Sequence, residues 1–266
     1  VVLVVLLALS LYAGFTFEGV DHWGYGALFI FLSFVVGLLM MIFKSLETQI
    51  LKDRFLVLLL SFLLVIVFWG AFEQAGGLMN LYAENNTNKM LMGWEVPTAW
   101  FQSLNAFFII VLGSSVALFW ANRKLKGKLS TSLFKMIIGL IIMGSGFFFM
   151  SAASMEFERT GESAMYWLVL AYLFHTIGEL CISPVGLSYV SKLAPQKLVG
   201  LMFGVWFVAN FIANTAAGIT GSFIDPIVED YGMSVFFLIF TILPALVGLL
   251  MIFANKKIVT MMHGVE

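Results

Sequence analysis

Residues 165–193, MYWLVLAYLFHTIGELCISPVGLSYVSKL, are apolar enough to cross a bilayer, yet they carry a carboxylate, Glu179, near the middle. A membrane helix needs about 20 predominantly apolar residues, and this stretch has that length. An ionisable group at that depth costs at least ~2.5–3.5 kcal/mol on insertion scales, so its default reading is functional. Ser183 follows Glu179 by four residues and shares its helical face. Pro184 removes a backbone donor and leaves the carbonyl near Leu180 to find a partner or to line a wet cavity. A carboxylate beside such a loosened turn reads as a binding site inside a membrane protein.

The whole chain agrees with that reading. Of its 266 residues 61% are hydrophobic and only 11% are charged. A soluble domain so composed could not cover its surface with polar groups, so the fold class is all-α integral membrane. The single cysteine, Cys181, excludes an internal disulfide and reads as small packing filler. The chain opens at Val1 inside an apolar run without a charged leader region or a cleavage site. The expectation is a segment taken from the middle of a larger protein.

Hydrophobic runs predict eight spans, at about 1–17, 23–43, 54–82, 97–121, 132–153, 164–190, 198–222 and 233–254. The third is long for one crossing and is expected to tilt or to project beyond the bilayer. Of the 14 basic residues, all but Lys89 and Arg159 fall at alternate loops or span ends, which predicts those loops and both termini to be cytoplasmic. Gly139, Gly144 and Gly146, and the GxxxG pair Gly200 and Gly204, suggest close helix packing.

Only two of the 15 acidic residues lie well inside predicted spans, Glu73 and Glu179, and no basic residue lies deep enough to neutralise them. Trp69 precedes Glu73 by four residues, with Phe72 beside it. An aromatic and an acid on one face suit an amine-bearing ligand, whereas Trp69 alone would read as a packing or interfacial residue. Gly76 and Gly77 weaken the helix just beyond and allow either a bend or tight packing. Gln102, Ser103 and Asn105 form a polar cluster in span four, readable as a ligand contact or as interhelical hydrogen bonding. Trp206, Asn210 and Asn214 make a stripe in span seven that faces something other than lipid. His175 reads as a hydrogen-bonded residue at a helix interface or, one turn before Glu179, as its partner. No metal spacing, phosphate loop or catalytic constellation is visible, and the basic loops lack the aromatics of a nucleic-acid surface. The expectations are therefore no enzyme, no metal, no cofactor and no nucleic acid.

Three stretches carry a resemblance. GELCISPVGLSYVSKLAPQKLVGLMFGVWF (178–207), FWGAFEQAGGLMNLYA (68–83) and WFQSLNAFFI (100–109) resemble the C-terminal half of proton-coupled oligopeptide transporters of the major facilitator superfamily. The resemblance implies that 1–53 is an extra transmembrane hairpin with its linker and that 54–266 is the C-terminal six-helix bundle. By the same resemblance Glu179 and Asn105 sit near a peptide amine, and Ser183, Trp206, Trp69, Phe72 and Asn210 line the pocket. Glu73 takes part in proton coupling, together with Glu179, and switches against an arginine of the first helix. The family's N-terminal six-helix bundle, with its basic pocket residues, is absent from the chain and is an implied partner.

The function so implied is proton-coupled symport of di- and tripeptides across a bacterial inner membrane by alternating access, with protons as the coupling ion. Two other readings stand beside it: a relative carrying a non-peptide solute such as nitrate, and a non-transporting membrane scaffold.

Overall fold

The computed structural model describes residues 20–221 and 223–265. The predicted span at 1–17 lies outside the described residues. Among the described residues six helical stretches are long and apolar enough to cross a membrane, and a shorter apolar stretch, 30–45, precedes them. The chain divides between Phe55 and Leu56 into two units.

The first unit contains α1 (Val20–Ser45) and the start of α2 (Gln49–Phe72). At the turn between them Ser45 Oγ donates to the Ile42 carbonyl at 2.7 Å. The Phe43 and Phe55 rings pack with centroids 6.3 Å apart, and Lys52 Nζ lies 5.9 Å from the Phe43 ring centroid.

In the second unit α2 does not run through the long predicted span. It stops at Phe72, a 3₁₀ turn spans Glu73–Ala75, and α3 (Leu78–Asn86) resumes after Gly76 and Gly77. The long span thus contains a break, placed where two glycines lower helix propensity by about 1 kcal/mol each relative to alanine. The remaining helices are α4 (Ala99–Leu125), α5 (Ser132–Thr160), α6 (Met165–Leu193), α7 (Val199–Gly221), α8 (Ile224–Tyr231) and α9 (Met233–Met261). Several extend beyond the apolar runs because helical hydrogen bonding continues past the bilayer edge. Their ends follow local chemistry. Thr131 caps α5 by accepting from Phe134 N, and Gly161, with φ of 82°, closes it in the left-handed conformation that glycine tolerates.

Four two-residue strands fasten the loops at one end, and apolar patterning gave no sign of them. β1 (Thr87–Asn88) pairs in parallel with β4 (Ser163–Ala164); β2 (Met90–Leu91) pairs antiparallel with β3 (Trp94–Glu95) through a turn at Met92 and Gly93. Side chains reinforce the first pair, with Asn88 Nδ2 donating to Glu162 Oε2 at 2.6 Å.

The tightest joint lies between α5 and α6. A Cβ added to Gly139 would stand 2.7 Å from the Gly178 carbonyl, and one added to Gly178 would stand 2.6 Å from the Gly139 carbonyl. Small residues bring the backbones together, as expected where lipid removes the hydrophobic drive between helices. Gly144 meets α9 in the same way, 3.2 Å from Pro244 Cβ. Met143, Phe147, Ala171, Phe236 and Phe237 fill the fully buried core around these crossings. Gly200 and Gly204 behave differently: no atom lies within 4 Å of either position. Their GxxxG spacing closes no joint among the described residues, because that face of α7 meets no neighbouring helix.

Candidate functional site

Glu179 sits half-buried on α6, and Asn105 on α4 reaches it. Asn105 Nδ2 donates to Glu179 Oε2 at 2.8 Å and to Thr176 Oγ1 at 3.1 Å, which uses both hydrogens of the amide. Thr176 in turn donates to the Tyr172 carbonyl at 2.7 Å. The Tyr172 hydroxyl, 3% exposed with the rest of its side chain, crosses to the broken helix and donates to the Ala75 carbonyl at 3.1 Å. Hydrogen bonds thus run from Glu179 to the Tyr172 backbone, and the side chain of the same tyrosine reaches the turn that carries Glu73.

That turn is held from the opposite side too. Gln74 is buried, and its Nε2 donates to the Ala217 carbonyl at 3.1 Å and to Thr220 Oγ1 at 2.9 Å on α7. With Gln74 and Ala75 turned inward, Glu73 is left exposed on the rim between two clefts. One, of about 190 Å³, is lined by Phe72, Gln102, Asn105 and Tyr172 among others. The other, of about 460 Å³, runs along α3 and α7 past Asn214 and Gly218. No lysine or arginine among the described residues lines either cleft.

The other residues singled out from the sequence divide into two groups. Trp69 and Phe72 form an aromatic cluster with Phe68, their own centroids 5.1 Å apart, and Phe72 borders the smaller cleft. The 3₁₀ turn begins at Glu73, so the helical register that pairs Trp69 with Glu73 ends there. Gln102 and Ser103 are exposed, and Ser183 is half-buried on α6. Pro184 lies inside α6 without ending it.

Trp206 is buried on α7. Its ring fills the space of a missing Gly186 side chain and meets Phe62 edge-on at 5.9 Å. The polar stripe beyond it turns onto its own helix, with Asn210 Nδ2 donating to the Trp206 carbonyl and Asn214 Nδ2 to the Asn210 carbonyl, both at 2.9 Å.

His175 departs from its expected hydrogen-bonded state. It is fully buried, and neither ring nitrogen has a hydrogen-bond partner among the described residues. Gly146 opens the space it occupies, and the walls are Phe147, 4.4 Å away between centroids, and Phe72, at 5.9 Å; neither offers an acceptor. Cys181 packs as expected and also accepts from Trp120 Nε1 at 3.4 Å. Sequence reasoning missed Tyr172 and Thr176, whose signal was their helical spacing with Glu179 on one face of α6.

Comparison with known proteins places this site in a family context. Over 174 residues the chain is 40% identical to the peptide transporter YePEPT of Yersinia enterocolitica, aligning 64% of this chain with 34% of that protein. It is 30% identical over 173 residues to dipeptide and tripeptide permease B of Aeromonas hydrophila, covering 65% of this chain and 34% of the permease. Among solved structures it is similar to a peptide transporter POT in complex with sulfate, with a TM-score of 0.75 at 29% identity over 99% of this chain and 52% of that one. A POT family transporter in complex with a thioalcohol-conjugated peptide shares the fold, with a TM-score of 0.80 at 24% identity over 97% and 52% of the two chains. The chain thus spans about a third of the length of these curated relatives and about half that of the solved structures. A profile of the family described as PTR2, POT family, matches residues 20–235, and the chain, a multi-pass membrane protein, belongs to that family.

Proposed function

We propose that this chain is the C-terminal half of a proton-coupled symporter of di- and tripeptides, working by alternating access in a bacterial inner membrane. The observation that carries the reading is a pair of carboxylates, Glu73 and Glu179, beside clefts that no basic side chain among the described residues lines. Membrane carboxylates without a resident cation suit a ligand amine or a proton path. Peptide transporters among the relatives support the peptide as cargo.

In this mechanism Glu179, oriented by Asn105, receives the peptide's amino group. Phe72, packed against Trp69, gives the smaller cleft an apolar wall, and Ser183, Trp206 and Asn210 lie on α6 and α7 beside the two clefts. Glu73 protonates from the outer side, loses its charge and releases a basic partner contributed by an N-terminal six-helix bundle. That release permits closure over the peptide and rocking of the two bundles about the site. One proton moving down 100 mV supplies ~2.3 kcal/mol, enough for roughly fifty-fold accumulation. The basic loops face the cytoplasm, as do both ends of this segment.

The test is uptake of labelled dialanine into liposomes holding the full-length parent under a pH gradient. Gradient-dependent uptake is expected in the parent. Glu73→Gln is expected to abolish it while peptide exchange survives, and Glu179→Gln to lose peptide binding. A parent that neither binds nor moves dialanine overturns the peptide assignment.

A further inference from the structure

We propose that Tyr172 is a positioning residue that fixes the broken turn of the Glu73 helix and links it, through Thr176 and Asn105, to Glu179. The proposal takes Glu73 and Glu179 as the working carboxylates and so rests on the reading above.

The geometry of the break calls for such a residue. A helix that ends leaves carbonyls without intrahelical donors, and a buried one costs free energy until something donates to it. Ala75 stands in the 3₁₀ turn directly before the two glycines, and its carbonyl receives the Tyr172 hydroxyl at 3.1 Å. Without that bond the turn would keep only Gln74 to α7 and the longer contact from Gln102 Nε2 on α4 to the Gly76 carbonyl at 3.5 Å, and it could swing about Gly76 and Gly77. With the tyrosine bond in place the turn holds Glu73 at the rim between the two clefts, and Tyr172 also forms a wall of the smaller one.

The same tyrosine bears on Glu179. Its carbonyl accepts from Thr176, whose oxygen shares the Asn105 amide with Glu179. A change in the hydrogen bonding of Glu179 that moves Asn105 therefore also acts on Thr176 and on the turn of α6 that holds Tyr172. A phenylalanine would fill the same buried space and break this path at a single atom. Of the titratable groups on the elements around Glu73, Tyr172 lines the smaller cleft with it and Glu179 bonds the cleft-lining Asn105; the others, among them Tyr82 and Glu84 on α3, His175 on α6 and Asp225 on α8, line neither cleft. The facing polar residues of α4 and α7, Gln102, Asn105 and Asn214, do not titrate.

The experiment labels the full-length parent in liposomes with a membrane-permeant carbodiimide, which reacts with protonated carboxyl groups. The extent at Glu73 and at Glu179 is read by mass spectrometry from acidic to neutral pH. Tyr172→Phe is expected to change the labelling of Glu73 at fixed pH by about fivefold, the equilibrium equivalent of one buried hydrogen bond. Tyr166→Phe, an exposed tyrosine on the same helix, is expected to label as the parent does. Thr176→Val is expected to alter Glu179, and Tyr172→Phe to alter Glu179 as well as Glu73. Unchanged Glu73 labelling in Tyr172→Phe overturns the positioning role, and unchanged Glu179 labelling in Tyr172→Phe overturns the link. Should Tyr172→Phe not fold, hydrogen exchange of the parent's 73–80 amides decides the first point: rapid exchange at the break overturns the clamp, and protection supports it. None of these readouts needs dialanine as cargo, so a failed peptide assignment shows itself separately as a parent that takes up no dialanine.

Discussion

Helices α4 and α5 are equal in mean hydropathy, yet 61% of the apolar stretch of α5 is buried in the chain against 6% of that of α4. The two are held by different physics. Along α5 the backbones of neighbouring helices come within contact at glycines, and dispersion over the crossing holds them. Along α4 the joint is a series of side-chain ties. At one end Lys89 donates to Thr98 at 3.2 Å, in the middle Asn105 reaches Glu179 and Thr176, and towards the other end Trp120 reaches Cys181. A helix held by a few polar ties can shift as a unit when one tie changes, whereas an interlocked crossing cannot. The carboxylate Glu179 lies on α6, where both regimes meet.

The comparison can be broken most directly at the crossing. Gly178→Val would push a side chain into the Gly139 carbonyl and the Met143 backbone, and a loss of about 3 kcal/mol is expected from overpacking. Thermal unfolding in detergent measures it; a stable variant would show that α5 and α6 are not interlocked.

Next in size is the middle tie of α4. Asn105→Leu leaves Glu179 and Thr176 without their donor, and a loss of about 1–3 kcal/mol follows from the value of a buried polar contact. The same unfolding assay reads it, and Asn105→Gln is expected to recover part of the loss.

His175 sharpens the contrast from the α5 side. Its unpartnered ring contributes packing without hydrogen bonding, so His175→Leu should stay within about 1 kcal/mol of the parent. A larger loss would mean that the imidazole gains a partner in another conformation of the protein.

The smallest effect belongs to the end tie. Hydrogen bonding to the Glu84 carboxylate, 2.8 Å away, holds the Lys89 amine above its ordinary pKa, with Glu95 adding to it from 3.4 Å. A raised value means that the stabilisation is complete below the ordinary lysine pKa and disappears as pH rises through the folded one. The melting-temperature difference between the parent and Lys89→Met should therefore be slight, constant through neutral pH, and lost only in strong alkali. A difference that already vanishes near neutrality would contradict the pairing.

Particular residues show how far the sequence reached. The carboxylate Glu179 inside a helix of membrane length, the apolar spans among the described residues and the small residues at Gly139, Gly144 and Gly146 were legible, because transfer cost and helical spacing act along the chain. The break at Gly76 and Gly77 was legible only as a weakness. Trp206 and Asn210 read as one stripe facing something other than lipid; the ring fills the gap at Gly186, and the amide bonds its own helix. The Gly200 and Gly204 pair has the spacing of a joint and closes none.

The sequence by itself determined that this is a multi-pass helical membrane protein with two costly carboxylates, since transfer free energies depend on residue type and span length alone. Tertiary structure decided which face meets which. It set Asn105 against Glu179, turned Gln74 and Ala75 inward so that Glu73 stands exposed, and brought Tyr172 to the broken turn. Those outcomes depend on distances between residues far apart in the chain. Helical periodicity defines a face but not its neighbour.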